Sequence, residues 1–213
     1  MPDDASPRFR DPVTSEDELR AILGDIYPAA VTKVIDRLDE HCRAFIEHSP
    51  FCLIASASEE LGVEVSPKGD PAGFVTVLDE RTLAIPDRPG NARADTFRNV
   101  LRNPAVGMIF LVPGRKDTLR VAGKAQIVRD EELRLSMAVQ GKVPELAMVI
   151  EVERAFFHCA KCMVRSGLWQ PEMWPDTRDM RSLGAALVAH SKLKAAANAV
   201  DDELEEDEKL GLY

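Results

Sequence analysis

Three short stretches hold the residues whose types and spacing could do chemistry: Ser66-Pro-Lys-Gly-Asp-Pro71, Ile85-Pro-Asp-Arg-Pro-Gly-Asn-Ala-Arg-Ala-Asp-Thr-Phe97 and Thr118-Leu-Arg-Val-Ala-Gly123. In the second, Arg88 and Arg93 flank Asn91, a residue type that starts helices. Phe97, Val100 and Leu101 then recur at helical spacing before Pro104, so the spacing predicts a capped helix of about three turns. Cations beside a helix N-terminus oppose its dipole. A bound anion removes the conflict, because first-turn N–H groups and guanidinium forks together hold a phosphate monoester. The plainer alternative is that Asp87 and Asp95 pair with these arginines at the surface, and that Ser66 to Pro71 is a turn punctuated by Pro and Gly.

The elements that must position these residues change character along the chain. Thr14-Ser-Glu-Asp-Glu carries a capping-box pattern, which predicts a first helix to about Leu23. After Gly24 and Pro28, helical periodicity resumes through Val31, Val34, Ile35 and Leu38 to Cys42, Phe45 and Ile46, ending at Pro50. Short apolar runs then predict strands at Phe51 to Ala57, Val63 to Ser66, Gly73 to Val77, Thr82 to Ile85, Ala105 to Val112, Thr118 to Val128 and Leu146 to Phe156. Such a series suggests an antiparallel barrel or sandwich. Within Thr118 to Val128, Leu119, Val121, Ala125 and Ile127 share one face, with Arg120, Lys124 and Gln126 on the other. Gly123 in mid-strand marks a bulge or the close approach of another backbone or a ligand. A short helix is expected at Asp130 to Ala138 and a longer one from Met180 to Val200. The block Asp201 to Glu208 follows, which its like charge should leave solvated and mobile.

At 213 residues, 45% hydrophobic and 30% charged, the chain is sized for one domain with appendages. We expect a helical lead-in over 1–49 packed on a domain over 50–175, followed by a helix and acidic tail over 176–213. The longest apolar runs are strand-sized and no basic, apolar leader opens the sequence, so a cytoplasmic location without membrane attachment is expected. A net charge of −9 disfavours nucleic acid as a partner. Four cysteines, at 42, 52, 159 and 162, are expected as reduced thiols, since one C-x-x-C supplies too few ligands for a structural metal. His41, His48 and His190 lie in helical patterns as surface or packed residues, and Trp169 and Trp174 read as hydrophobic anchors.

Taken with Phe156-Phe-His-Cys-Ala-Lys and Arg165-Ser-Gly-Leu-Trp169, the order and spacing of these segments resemble the pyridoxamine 5'-phosphate oxidase-like family of FMN-binding split barrels, in particular a subgroup of FMN-dependent enzymes. The resemblance spans roughly residues 30 to 175, and the joint occurrence of its motifs makes it specific. It implies an α+β fold: a six-stranded antiparallel Greek-key barrel with helical extensions, forming a homodimer with FMN at the subunit interface. By motif position it assigns Arg88, Asn91 and Arg93 to the phosphate, Ser66 and Lys68 to the strand against the flavin ring, and Thr118 and Arg120 to the strand at its pyrimidine edge. Arg165 and Trp169 fall near the interface. The implied activity is an FMN-dependent oxidoreductase acting on a small molecule whose identity, like the catalytic residues, stays open. A flavin-binding or sensing protein with little turnover, or a split barrel holding F420 or haem, are the alternatives. The ending, acidic and then Leu210-Gly-Leu-Tyr213, departs from the basic, Arg-containing segment of true pyridoxamine 5'-phosphate oxidases and speaks against that activity.

Overall fold

The computed structural model describes residues 9–58 and 62–213, and it divides into two compact units, 1–34 and 35–213. In the first unit, α1 (Glu16–Leu23) starts one residue later than the capping pattern suggests. Ser15 is the cap, its hydroxyl accepting from the Glu18 N–H, while Glu18 reaches back to accept from the Thr14 N–H at 3.1 Å. Gly24, at φ 75°, ends the helix. A short α2 (Pro28–Thr32) follows.

The second unit begins where the helical periodicity predicted a continuous helix. Instead, Ile35 makes a β-bridge to Ala155 and helix resumes only at α3 (Glu40–Glu47), where the Asp39 carboxylate accepts from the Cys42 N–H. Cys42, Phe45 and Ile46 of α3 are buried in the core.

Seven strands follow among the described residues: β1 (Phe51–Ser58), β2 (Gly62–Gly69), β3 (Thr76–Val77), β4 (Thr82–Pro86), β5 (Ala105–Leu111), β6 (Thr118–Val128) and β7 (Ala147–His158). They pair antiparallel in the order β2-β1-β5-β6-β7-β4-β3. This is the expected α+β split-barrel fold, its six main strands extended by β3, two residues long. The core lies on the inner face, where Ile54, Leu83, Phe110, Leu119 and Ile150 are fully covered. Gly123 sits at the register shift between β6 and β7, and a Cβ there would lie 1.9 Å from the Glu151 carbonyl oxygen. Both marks expected of a mid-strand glycine, bulge and close backbone approach, occur together.

Helix α4 (Asp95–Arg102) packs across the sheet, α5 (Glu131–Ser136) precedes β7 and α6 (Lys161–Ser166) follows it. The single helix expected from Met180 to Val200 is two, α7 (Leu183–Ser191) and α8 (Ala197–Leu210). The acidic block is part of α8 rather than an irregular tail. Its first carboxylate, Asp201, accepts from the Gly184 N–H at 2.7 Å, which ties α8 to the start of α7 and offsets the block's self-repulsion. Among the described residues, no helix is long and apolar enough to cross a membrane.

Candidate functional site

Strand β2 is an edge strand whose side chains alternate: Glu64, Ser66 and Lys68 are half-buried, while Val63, Val65 and Pro67 point outward and are exposed. Strand β4 lies near the other end of the pairing order, yet the loop that leaves it meets β2. The link is Asp70, just after β2, paired with Arg88, just after β4, at 2.5 Å. Their side chains are 3% and 17% exposed. Curling of the sheet therefore brings its two ends together.

Between them lies a cleft of about 520 Å³, within the size range of small-molecule and cofactor sites. Ser66 and Lys68 form one wall, residues 87–97 the other, and Leu146 closes part of it. Five residues singled out from the sequence, Ser66, Lys68, Arg88, Asn91 and Arg93, thus meet around one space.

The loop is built differently from the expected capped helix. Helix α4 starts at Asp95, four residues beyond Asn91, and no side chain caps it. Asn91 instead turns the chain, its side-chain oxygen accepting from the Arg93 N–H at 3.1 Å. Ala92 and Ala94 are left-handed, at φ 57° and 55°, which interrupts the helix; alanine rarely adopts this conformation, and such strain concentrates at ligand sites. Alternations of this kind aim successive N–H groups to one side, the backbone form from which anion-binding concavities are made. Helix α4 itself is pinned by the buried Asn99, whose amide donates to the Ser56 hydroxyl of β1 at 3.0 Å and the Glu64 carboxylate of β2 at 2.6 Å.

The surface pairing of arginines with neighbouring acids is half realised. Arg93 donates to Asp95 at 2.7 Å and remains 66% exposed, leaving most of its guanidinium free to face the cleft. Arg88 pairs with Asp70, not Asp87, and donates a second time to the Met137 carbonyl at 3.0 Å. Burial raises the Asp87 carboxyl above its ordinary range, against the opposing pull of Lys68 and Arg88.

The other expected site residues lie away from this cleft within one chain. Thr118 is buried at the start of β6. Arg120 is on the outward face of the sheet, its guanidinium 5.1 Å from the centre of the Phe156 ring. Arg165 is exposed on α6, and Trp169 donates its indole N–H to the Arg115 carbonyl at 2.7 Å, anchoring the chain after α6 to the β5–β6 connection. Asp87, Thr96, Phe97 and Leu146 also line the cleft; the sequence offered Asp87 only as a surface partner for the arginines, Phe97 and Leu146 only as apolar positions of a helix and a strand, and Thr96 only as part of the motif. Cys42 and Cys52 are buried, and burial pushes both thiols up to about 12; Cys159 and Cys162 are exposed and free. Among the described residues no group of three or more His, Cys, Asp and Glu is arranged to hold a metal.

The family model for pyridoxamine 5'-phosphate oxidase matches residues 38–159, more than half of the chain and all the elements that build the cleft. The chain belongs to the pyridoxamine 5'-phosphate oxidase family. No curated protein matches the sequence. Among solved structures, HupZ of Group A Streptococcus is 18% identical over 56% of this chain and 92% of its own, with a TM-score of 0.47. General stress protein 26 of Bacillus anthracis is 13% identical over 54% and 88%, with a TM-score of 0.43. An F420 reductase is 19% identical over 55% and 94%, with a TM-score of 0.39. At such identities and scores these neighbours carry no argument about ligand or activity. The family assignment rests on the matched segment.

Proposed function

We propose that this member of the family is an FMN-dependent oxidoreductase that works as a homodimer and acts on a small molecule. The observation that carries the reading is the convergence of Ser66, Lys68, Asn91 and Arg93 on one cleft. The residues suit FMN. Arg93 and the strained turn beside it would hold the phosphate through charge-assisted contacts and backbone N–H groups. Lys68, on the opposite wall, would place positive charge where the reduced ring is anionic, which favours reduction. The Ser66 hydroxyl is a donor for the ring, and Phe97 and Leu146 supply apolar wall that excludes water. FMN when bound supplies the hydride and electron chemistry, and these residues supply binding, orientation and electrostatics. Among the described residues, the side chains that line the cleft in one chain are Ser, Lys, Arg, Asn, Asp, Thr and apolar types rather than the His, Cys, Met or Tyr that ligate haem iron, which favours the flavin.

The homodimer is supported by the outer face of the sheet. Register aligns Pro67, Leu53, Ile109, Arg120 and Phe156 in one row across five strands, with Val65, Ala55, Gly107, Ala122 and Arg154 beside it. Val63 and Val65 are 71% and 59% exposed there, an apolar patch suited to covering by a second copy. In this proposal, Arg120, Arg165 and Trp169 reach the flavin held by the partner's cleft. The test is spectroscopic: purified protein reconstituted with FMN should show bound oxidised flavin, and stopped-flow mixing with NADH or NADPH should bleach it. A protein that binds FMN but is reduced by neither is a flavin carrier under these donors; one that takes F420 and rejects FMN refutes the cofactor.

A further inference from the structure

The segment after α8 returns to the cleft. The Tyr213 hydroxyl donates to Asp70 Oδ1, while the other oxygen of the same carboxylate accepts from Arg88 Nε. The Tyr213 ring lies over the Arg88 guanidinium, 5.7 Å from its centre, and Lys142 Nζ donates to the Tyr213 main-chain oxygen. Hydrogen bonding to Asp70 holds the Tyr213 phenol above its ordinary range, so it stays a donor. Arg88 lines the candidate cofactor cleft and also the cavities on either side that Tyr213 borders.

We propose that Asp70 and Tyr213 are positioning residues, through which the segment after α8 sets the orientation of Arg88 at the cleft. The inference rests on the cofactor reading above for its effect on binding, but its geometry does not. Asp70 is nearly fully buried, and a buried carboxylate must have each oxygen satisfied. With Tyr213 in place, one oxygen is served by the phenol and the other by a single N–H of Arg88. The Met137 carbonyl takes a second N–H, and the guanidinium's three other donors have no hydrogen-bond partner among the described residues. Without the phenol, Oδ1 lacks a donor. The guanidinium fork is then drawn into a two-bonded grip on Asp70, the geometry it prefers with a carboxylate, and donors are withdrawn from the cleft.

Two measurements on the full chain test this. The first needs no cofactor: the Arg88 Nε–H resonance in a 15N correlation spectrum, assigned by its loss in Arg88→Lys, should shift in Tyr213→Phe and exchange with water no faster than in wild type. An unchanged resonance overturns the proposal. The second is FMN titration of wild type, Tyr213→Phe, Arg88→Ala and the double variant. Tyr213→Phe should weaken binding by roughly threefold to tenfold, the worth of one hydrogen bond. In the Arg88→Ala background it should change nothing. Equal effects in both backgrounds would mean that Tyr213 acts without Arg88 and would overturn the proposal. If Arg88→Ala does not fold, Asp70→Asn replaces it as the background, with the same expected silence. Wild-type protein that does not bind FMN refutes the proposed function instead, and the Arg88 resonance then decides the positioning role alone.

Discussion

Two arginines of the same loop should respond to truncation in opposite ways. Arg93 is 66% exposed, and Asp95, with which it pairs, is a near neighbour in sequence. Exposed pairs of this kind contribute little to stability, so Arg93→Ala should leave the melting temperature of the cofactor-free protein unchanged. Its loss should instead appear in binding: removing a charge-assisted phosphate contact weakens FMN by roughly tenfold to a hundredfold. Arg88 is the reverse case. Arg88→Ala strands the carboxylate of Asp70, 3% exposed, with the phenol of Tyr213 as its remaining side-chain partner. Breaking a buried pair in this way costs about 3–5 kcal/mol. In a chain of this size that lowers the melting temperature on the order of 10 °C. The assays are fluorescence titration with FMN and thermal melting of apo protein, run on both variants. Arg93→Ala that titrates as wild type would refute the phosphate assignment, and Arg88→Ala with an unshifted melting temperature would refute the account of the Asp70 pair.

Gly123→Ala would place its Cβ 1.9 Å from the Glu151 carbonyl oxygen, against backbone that cannot step aside, and should destabilise by at least about 3 kcal/mol or abolish soluble expression; near-wild-type melting would contradict the close approach. The folded-state pKa of Asp87 is raised by burial, so its contribution to stability is fully present below the unfolded value of 3.8 and is lost as pH rises through the folded value. Asp87→Asn should therefore raise the melting temperature at neutral pH, the gain should vanish below about pH 3.8, and FMN should bind more tightly once this carboxylate leaves the cleft; a gain independent of pH would count against the burial argument. For the shared site, mixing Arg93→Ala with Arg165→Ala or Trp169→Ala subunits should restore part of the flavin binding, because some heterodimers carry one intact site. Exchange without restoration would exclude a cross-subunit role for Arg165 and Trp169.

What the sequence by itself determined was local. Most strands of the sheet are announced by a short apolar run between turn residues; β2 runs on through Pro67 to Gly69, where a turn was the plainer reading, and β3 is cut to Thr76–Val77, while Gly123 announced the bulge because a mid-strand glycine has few other uses. The cap of α1 was legible to within one residue, since it depends only on side chains three positions apart. The candidate site was half legible: the motif segments named Ser66, Lys68, Arg88, Asn91 and Arg93, and these do line one cleft. How they do so was decided by tertiary structure. Asn91 looked like a helix cap because its type and the periodicity behind it fit one, but Ala92 and Ala94 take left-handed conformations that no feature of alanine advertises. Sequence neighbours suggested Asp87 or Asp95 as the partner of Arg88. The true partner, Asp70, follows a strand at the far end of the pairing order and arrives only when the sheet curls. The acidic block was read by its charge alone, whereas packing of α8 against α7 orders it and carries Tyr213 to Asp70. Helical and strand periods are properties of neighbouring residues and so are written in the chain; the meeting of two sheet ends is a property of the closed surface, and it exists only once the sheet has bent.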